Sequence, residues 1–502
     1  MVLKSPKAKA SPVVPAQRPS AFEAYFEIAR RGSTVPKEIR GGLVTFFSMA
    51  YIIALNPLIV GTVADANGNL VSGLPASDPV NVGLTIGMVA AATALVAGVL
   101  TAAMGLIGRF PVALATGLGL NSVVAYSLAP TMTWPQVMGL IVWEGVLITI
   151  LVLTGFRKAV FSAVPKPLRT AISVGIGLFI CLVGLADAGF VRPGGALVTM
   201  GVGGNLLGWP LLVFVVGLGV LVVLFVKRVK GAMLITIAGA TILSILVELL
   251  VKTGGKADGH DTGWMLNVPA WSADAWGWPD LELLRFWDHV DLVGAFSGGP
   301  KVWITLVLTI LALMLADFFD SMGTIVAVGQ SGGLLKSNGN PPRTQEILLV
   351  DSVAAIAGGL FSTSSNTSYI ESAAGVEDGA RTGLANLVTG LCFILAVFIS
   401  PIIKLVPSEA VAPVLVLVGF LMLRQVSEID WADPEVALPA FFMVTLMAFT
   451  YSITVGIGVG FLAYLLIKTV RRKWGQVHPL LWVVGGLFLV YFAQGVILEW
   501  VA

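Results

Sequence analysis

The chain has 502 residues, of which 57% are hydrophobic and only 12% charged, with a formal net charge of +2. A mean hydropathy of +0.92 excludes an ordinary soluble domain, which would carry roughly a quarter charged residues. The basic residues are spread over short loops, so the net charge implies no nucleic-acid partner, and the only two cysteines, Cys181 and Cys392, lie in apolar runs, so no disulfide framework is implied.

What remains is an all-α polytopic membrane protein seated in a lipid bilayer. Residues 1–40 form a Pro-, Ala- and Lys-rich tail with no apolar stretch before Gly41, so no cleavable signal is expected there. The part holding Lys4, Lys7 and Lys9 reads as disordered. Arg30, Arg31, Lys37 and Arg40 come just before the first span, which keeps this end in the cytoplasm of a multi-pass protein of the cell (plasma or inner) membrane.

Candidate spans in a first repeat, 41–251, are 41–61, 81–105, 111–128, 136–155, 168–186, 209–226 and 231–251. A Trp-, Asp- and Gly-rich loop, 252–300, is expected outside the cytoplasm. The second repeat, 301–502, offers 301–328, 346–361, 364–377, 383–403, 410–424, 436–452, 454–470 and 480–500. Four basic clusters fall on the inner side by alternation: Arg157, Lys158, Lys166 and Arg169; Lys227, Arg228 and Lys230; Lys336 and Arg343; Arg471, Arg472 and Lys473. The tail does not count cleanly. Reading 480–500 as a re-entrant or surface segment gives fourteen spans with Ala502 inside; merging 436–470 into one broken unit also gives fourteen but moves the Arg471 cluster outside.

Two segments in matching places are poor helices. PVALATGLGLNSVVAY (111–126) carries Thr116, Gly117, Gly119 and Asn121, and FSTSSNTSYIESAAGV (361–376) carries Asn366 and Glu371 among many Ser and Thr. Gly, Ser, Thr and Asn disfavour helix, and non-helical backbone at membrane depth survives only inside protein or beside a cavity. Paired interruptions of this kind point to an inverted-repeat transporter and its substrate site. Small residues also let membrane helices pack closely, but that reading leaves Glu371 unexplained.

Carboxylates supply the other signal. LALMLADFFDSMG (311–323) sets Asp317 and Asp320 three apart in an apolar run, on one helix face. Charged groups at membrane depth usually face a cavity, a partner or a translocation path. Glu144, in GLIVWEGVLITI, has no basic neighbour within a turn and reads either as a proton relay or as a hydrogen-bonded structural acid; Asp351 reads as a brace and Asp187 as interfacial. His260, His289 and His478 lie in loops, so no metal site can be assembled and no cofactor is expected.

At this point GLVTFFSMAYIIALNP (42–57), ALATGLGLNSVVAY (113–126), DFFDSMGT (317–324) and SYIESAAGVEDGARTGL (368–384) resemble the AzgA-like purine permeases of the nucleobase–ascorbate, or nucleobase–cation symporter, superfamily. The resemblance runs over nearly the whole chain from Gly41. It implies fourteen spans in two inverted seven-span repeats, core and gate domains, and spans 3 and 10 each broken into a short strand and a half-helix. It places the superfamily's eighth-span acid on Asp320, with Gly323, and its tenth-span acid on Glu371. Asn121 and the turn Thr116, Gly117, Gly119 match its third-span substrate segment, and Asp317 its extra acid. Glu377 and Asp378 depart from the usual uncharged stretch and are expected beside Arg381 as a solvated or paired surface group.

A purine offers N–H donors to carboxylates such as Glu371 and Asp320. Ser368 lies in the same Thr-Ser-Tyr-x-Glu stretch, and Phe319, Phe318 or Tyr369 could stack on the ring. A carboxyl in apolar surroundings takes up a proton readily, so Asp320, Asp317 and Glu144 are candidates for proton coupling. The expected function is import of adenine, guanine or hypoxanthine by proton symport with alternating access, not an enzyme. A transporter of another nucleobase or an organic anion is the alternative; an anion site would want Arg or Lys at the broken segments. An enzyme would want a His cluster or Ser/His pair in the spans, and a channel a repeated pore ring. The oligomeric state stays open, with a homodimer as one expectation.

Overall fold

The first apolar run folds as two helices, α1 (Val35–Met49) and α2 (Ile52–Val60), with Ala50 and Tyr51 at the break between them. The computed structural model describes residues 21–155, 164–194, 197–256, 259–271, 277–298, 300–337 and 340–501. Lys4, Lys7 and Lys9 of the tail, and Arg157 and Lys158 of the first basic cluster, lie outside these residues. α1 starts at Val35 rather than Gly41 because extended Thr34 and a proline in the first turn set its start, so Lys37 and Arg40 are on the helix.

There follow α3 (Pro79–Ala103), strand β1 (Leu114–Thr116) leading into the short helix α4 (Leu118–Val123), α5 (Trp134–Leu153) and α6 (Lys166–Asp187). A hairpin of β2 (Val191–Gly194) and β3 (Leu197–Met200) was not expected; it precedes α7 (Trp209–Val226) and α8 (Ala232–Val251). The second half holds α9 (Pro300–Ser331), α10 (Thr344–Leu360), strand β4 (Asn366–Ser368) with α11 (Ser372–Glu377), and α12 (Leu384–Ala396). It ends with α13 (Ser408–Leu423), α14 (Pro434–Phe449), α15 (Ile453–Val470) and α16 (Pro479–Val501).

Ten helical segments among the described residues are long and apolar enough to cross a membrane. With the shorter α10 and α14 and the two broken segments they match the fourteen expected spans, and α16 is an additional continuous helix. α14 and α15 are two separate helices packed along each other, so 436–470 is not one broken unit.

The helices sort into two bodies. α6 packs on α13 and α14, α7 on α8 and α13, and α14 on α15, which makes a gate. α1 and α3 pack on α12, α5 on α10 and α9, and the broken segments on α10, α9 and α1, which makes a core. The bodies meet where α4 and α9 touch α6, and where α1 touches α8.

Candidate functional site

The two broken segments cross as antiparallel strands, pairing Leu114 with Ser368, Ala115 with Thr367 and Thr116 with Asn366. The Gly117 N–H donates to the Ser365 carbonyl at 2.8 Å, and the Tyr369 N–H to the Ala113 carbonyl at 3.0 Å, so the ladder runs past both strand ends. Ser362 and Ser364, at φ 54° and 71°, turn the chain into β4. Backbone that cannot form helix is satisfied here by its counterpart from the other half, as burial in a membrane protein requires.

Glu371 follows this crossing at the start of α11, partly exposed, and accepts a hydrogen bond from the Tyr51 hydroxyl at 2.5 Å. The helix break at Ala50–Tyr51 is what puts that hydroxyl there. Asp320 on α9 lies within electrostatic range of Glu371 and Asp351. Asp320 is partly exposed, and Gly323, Ala327 and Gln330 beyond it are exposed. Their spacing marks one face of α9. A Cβ built on Gly323 would meet nothing within 4 Å. Opposite, Ile370, Glu371, Ala374 and Glu377 show the same partial or full exposure along the start and length of α11. An accessible track therefore leads from the two carboxyls towards the end of the molecule that carries Asp378. An acid at one end and Gln330 and Glu377 at the other suit a water-filled cleft better than a lipid surface.

The other expected site residues turn inward. Asn121 is fully buried; its amide donates to Asn56 Oδ1 at 2.7 Å, and its oxygen faces the Thr116 hydroxyl at 2.6 Å. The Thr116 hydroxyl also lies 2.7 Å from the Thr363 carbonyl, and the Asn56 amide donates to Thr93 at 2.8 Å. The Tyr369 hydroxyl donates to the Thr116 carbonyl at 2.6 Å, and the Ser368 hydroxyl to Asp351 at 2.7 Å. Phe319 is buried beneath Arg169, whose guanidinium carbon stands 5.8 Å from the ring centre. A Cβ on Gly117 would come within 2.9 Å of Thr367, and one on Gly119 within 2.5 Å of Ile176 on α6. These groups build and brace the crossing, while Asp320 and Glu371 edge the accessible track. Asn56 and Tyr51 were missed as partners, although both are polar residues inside the apolar 42–57 motif.

Glu144 and Asp317 are both buried, and no described residue hydrogen-bonds to either carboxyl. Asp187 accepts from the Tyr126 hydroxyl at 2.8 Å. Asp378 pairs with Arg40 and Lys230, and not with Arg381, whose guanidinium donates instead to the carbonyls of Val376 and Ala380. The Lys230 ammonium, with the Arg40 guanidinium, holds the Asp378 carboxyl below its ordinary range. No group of three metal-ligating side chains occurs among the described residues.

The comparisons agree with this architecture. The family model Xan_ur_permease, described as a permease family, matches residues 36–463. The guanine/hypoxanthine permease PbuG of Bacillus subtilis is 35% identical over 474 residues, 94% of this chain and 99% of that protein. The adenine permease AdeP of Escherichia coli is 33% identical over 472 residues, 93% of this chain and 95% of that protein. The transmembrane domain of the cyanobacterium bicarbonate transporter BicA superposes with a TM-score of 0.55 over 84% of this chain and 97% of that one; at 14% identity this is a likeness of fold. A family match over most of the chain and two broken segments crossing within the core lead to one conclusion: this multi-pass membrane protein belongs to the Xan_ur_permease family and is a transporter, not an enzyme.

Proposed function

We propose that this protein imports purine nucleobases across the cell membrane in symport with protons, its core domain carrying the base past the gate. The observation that carries the reading is the placement of Asp320 and Glu371 within electrostatic range of each other at the head of the accessible track. One Glu371 oxygen is held by Tyr51, and no other described residue donates to either acid. A planar purine carries ring and exocyclic N–H groups that such acceptors can receive through charge-assisted bonds. Backbone groups of the crossing would serve its ring nitrogens or carbonyls. The relatives named as guanine/hypoxanthine and adenine permeases favour the same substrate class.

Asp320 is the coupling residue in this reading. Its proton enters with the base and leaves to the cytoplasm, where the track opens if the face bearing Arg40 and Asp378 is the inner one. That orientation follows from the basic residues gathered at this end. An organic anion is disfavoured, because carboxylates at the track would repel it.

The test is uptake of radiolabelled adenine, guanine, hypoxanthine, xanthine and uracil with and without a protonophore. Purine accumulation that the protonophore abolishes is expected. Uptake of uracil alone, or purine accumulation indifferent to the protonophore, would sink the reading.

A further inference from the structure

A second pair of carboxyls sits where no base can reach. Glu144, midway along α5, is 0% exposed, and Asp317, one turn before Asp320 on α9, is 1% exposed. None of their four carboxyl oxygens has a hydrogen-bond partner among the described residues. α5 and α9 pack together, and Asp317 lies within electrostatic range of Glu144, Asp351 and Asp320. The Ser365 hydroxyl lies beside Glu144, outside hydrogen-bond geometry and without a partner of its own. Thr367, bonded to Ser321 at 2.6 Å, lies beside Asp317.

Among the described residues, no cation compensates the pair. α5 packs on α10, on α9 and on the short 286–289 helix. Their described side chains bring Asp351, Glu346 (paired with Arg343), Asp320, Asp288 and His289. α9 also packs on α6, α11 and α15, which carry Arg169 over Phe319, Glu377, and Lys468 bonded to Glu435. None of these basic groups acts on Glu144 or Asp317. A buried acid with a purely structural role is hydrogen-bonded as a rule. Two bare carboxylates within electrostatic range of each other at membrane depth would be prohibitive unless a positive charge joins them.

We propose that Glu144 and Asp317 together form a second proton-binding site, which holds one proton between two carboxyls out of contact with the base. Loaded with a second proton, the pair gives one up from an Asp317 oxygen to Asp320 one turn further on, the bonding electrons staying on Asp317, and Asp320 passes it to water in the cleft. The proton that remains is shared between Asp317 and Glu144, so the two are never bare together. This rests on the reading of the protein as a proton-coupled permease, and it separates the stored proton from the group that meets the substrate.

The test uses the full chain in proteoliposomes with an imposed pH gradient of one unit. Per coupled proton, that gradient supports a roughly tenfold accumulation of the radiolabelled purine. Glu144→Gln is expected to keep purine counterflow within about twofold of wild type while accumulation falls about tenfold, to the level of simple equilibration. Glu144→Asp, which keeps the carboxyl, should restore accumulation. Accumulation and dye-reported proton influx unchanged in Glu144→Gln would overturn the proposal. So would accumulation driven by a sodium gradient without a pH gradient. Infrared spectra of the unliganded protein give a readout independent of transport. The carbonyl stretch of a protonated carboxyl should be present in wild type and weakened in Glu144→Gln, and no such difference would overturn the site. If wild type carries no purine at all, the permease reading fails, while the infrared comparison still decides whether the pair holds a proton.

Discussion

Glu371 and Asp320 differ in what holds them. Tyr51 fixes one oxygen of Glu371, whereas no described residue donates to Asp320. Glu371 is therefore suited to orient a ligand and Asp320 to change its protonation. Glu371→Ala should abolish uptake in protein that still reaches the membrane. Glu371→Gln should raise the KM by about ten- to a hundredfold, the loss of a bond to a charged acceptor worth ~1.5–3 kcal/mol. A transport-competent Ala variant of unchanged affinity would remove Glu371 from the site. Asp320→Asn keeps the shape and removes the titrating group. Binding of the purine should survive while accumulation against a gradient fails; full concentrative uptake by this variant would place the coupling proton elsewhere.

The broken segments explain why the other expected residues turn inward. Once β1 pairs with β4, the side chains of Thr116, Asn121 and Tyr369 are committed to each other, to Asn56 and to the Thr363 carbonyl. Local composition showed that these stretches could not be helical throughout, and showed which polar residues they held. It could not show where the hydrogen bonds went, because their partners lie up to 253 residues away. Gly119 illustrates the same limit. The expectation was space for a ligand, whereas the missing side chain is what lets α4 approach Ile176 on the gate. Gly119→Val should impair transport by wedging core from gate. Combining it with Ile176→Ala should recover part of the activity, since residues in contact couple in double mutants. No recovery in the double variant would mean that Gly119 faces the substrate instead.

Between the two bodies, Asp378 is a tie. It ends α11 of the core and binds Arg40 of the core and Lys230 on the loop between gate helices α7 and α8. The Arg40 and Lys230 side chains are 65% and 59% exposed, so solvent and salt weaken the tie to about 1 kcal/mol or less per pair. Asp378→Asn should shift the balance between transport conformations by no more than about fivefold, away from the state described here. Labelling of a cysteine placed at Gly323 reports the shift: its reaction with a membrane-impermeant thiol reagent from the track side should slow. Unchanged labelling would show that the tie is only a surface contact. Because the Asp378 carboxyl is held below its ordinary range, the tie is present above that range. It is lost only as pH falls through the depressed value.

The sequence by itself determined the class of molecule, the approximate limits of most spans, and the pair of segments that had to break. It did not settle the count at the tail, where Pro479–Val501 is a continuous helix and not the expected re-entrant or surface segment. Hydropathy, turn residues and intramembrane acids are local properties, and the bilayer imposes its demands locally along the chain. It also singled out Asp320 and Glu371, because an acid in an apolar run stands out wherever it lies. Only the tertiary structure decided which acids meet the accessible track and which are sealed away. Glu144 and Asp317 look no different in sequence from Asp320, yet helix packing buries the first two and leaves the third at an opening. The Tyr51–Glu371, Asn56–Asn121 and Lys230–Asp378 contacts are likewise products of the fold. Each joins elements from opposite halves or distant spans, and a pattern read a few residues at a time holds no information about such meetings.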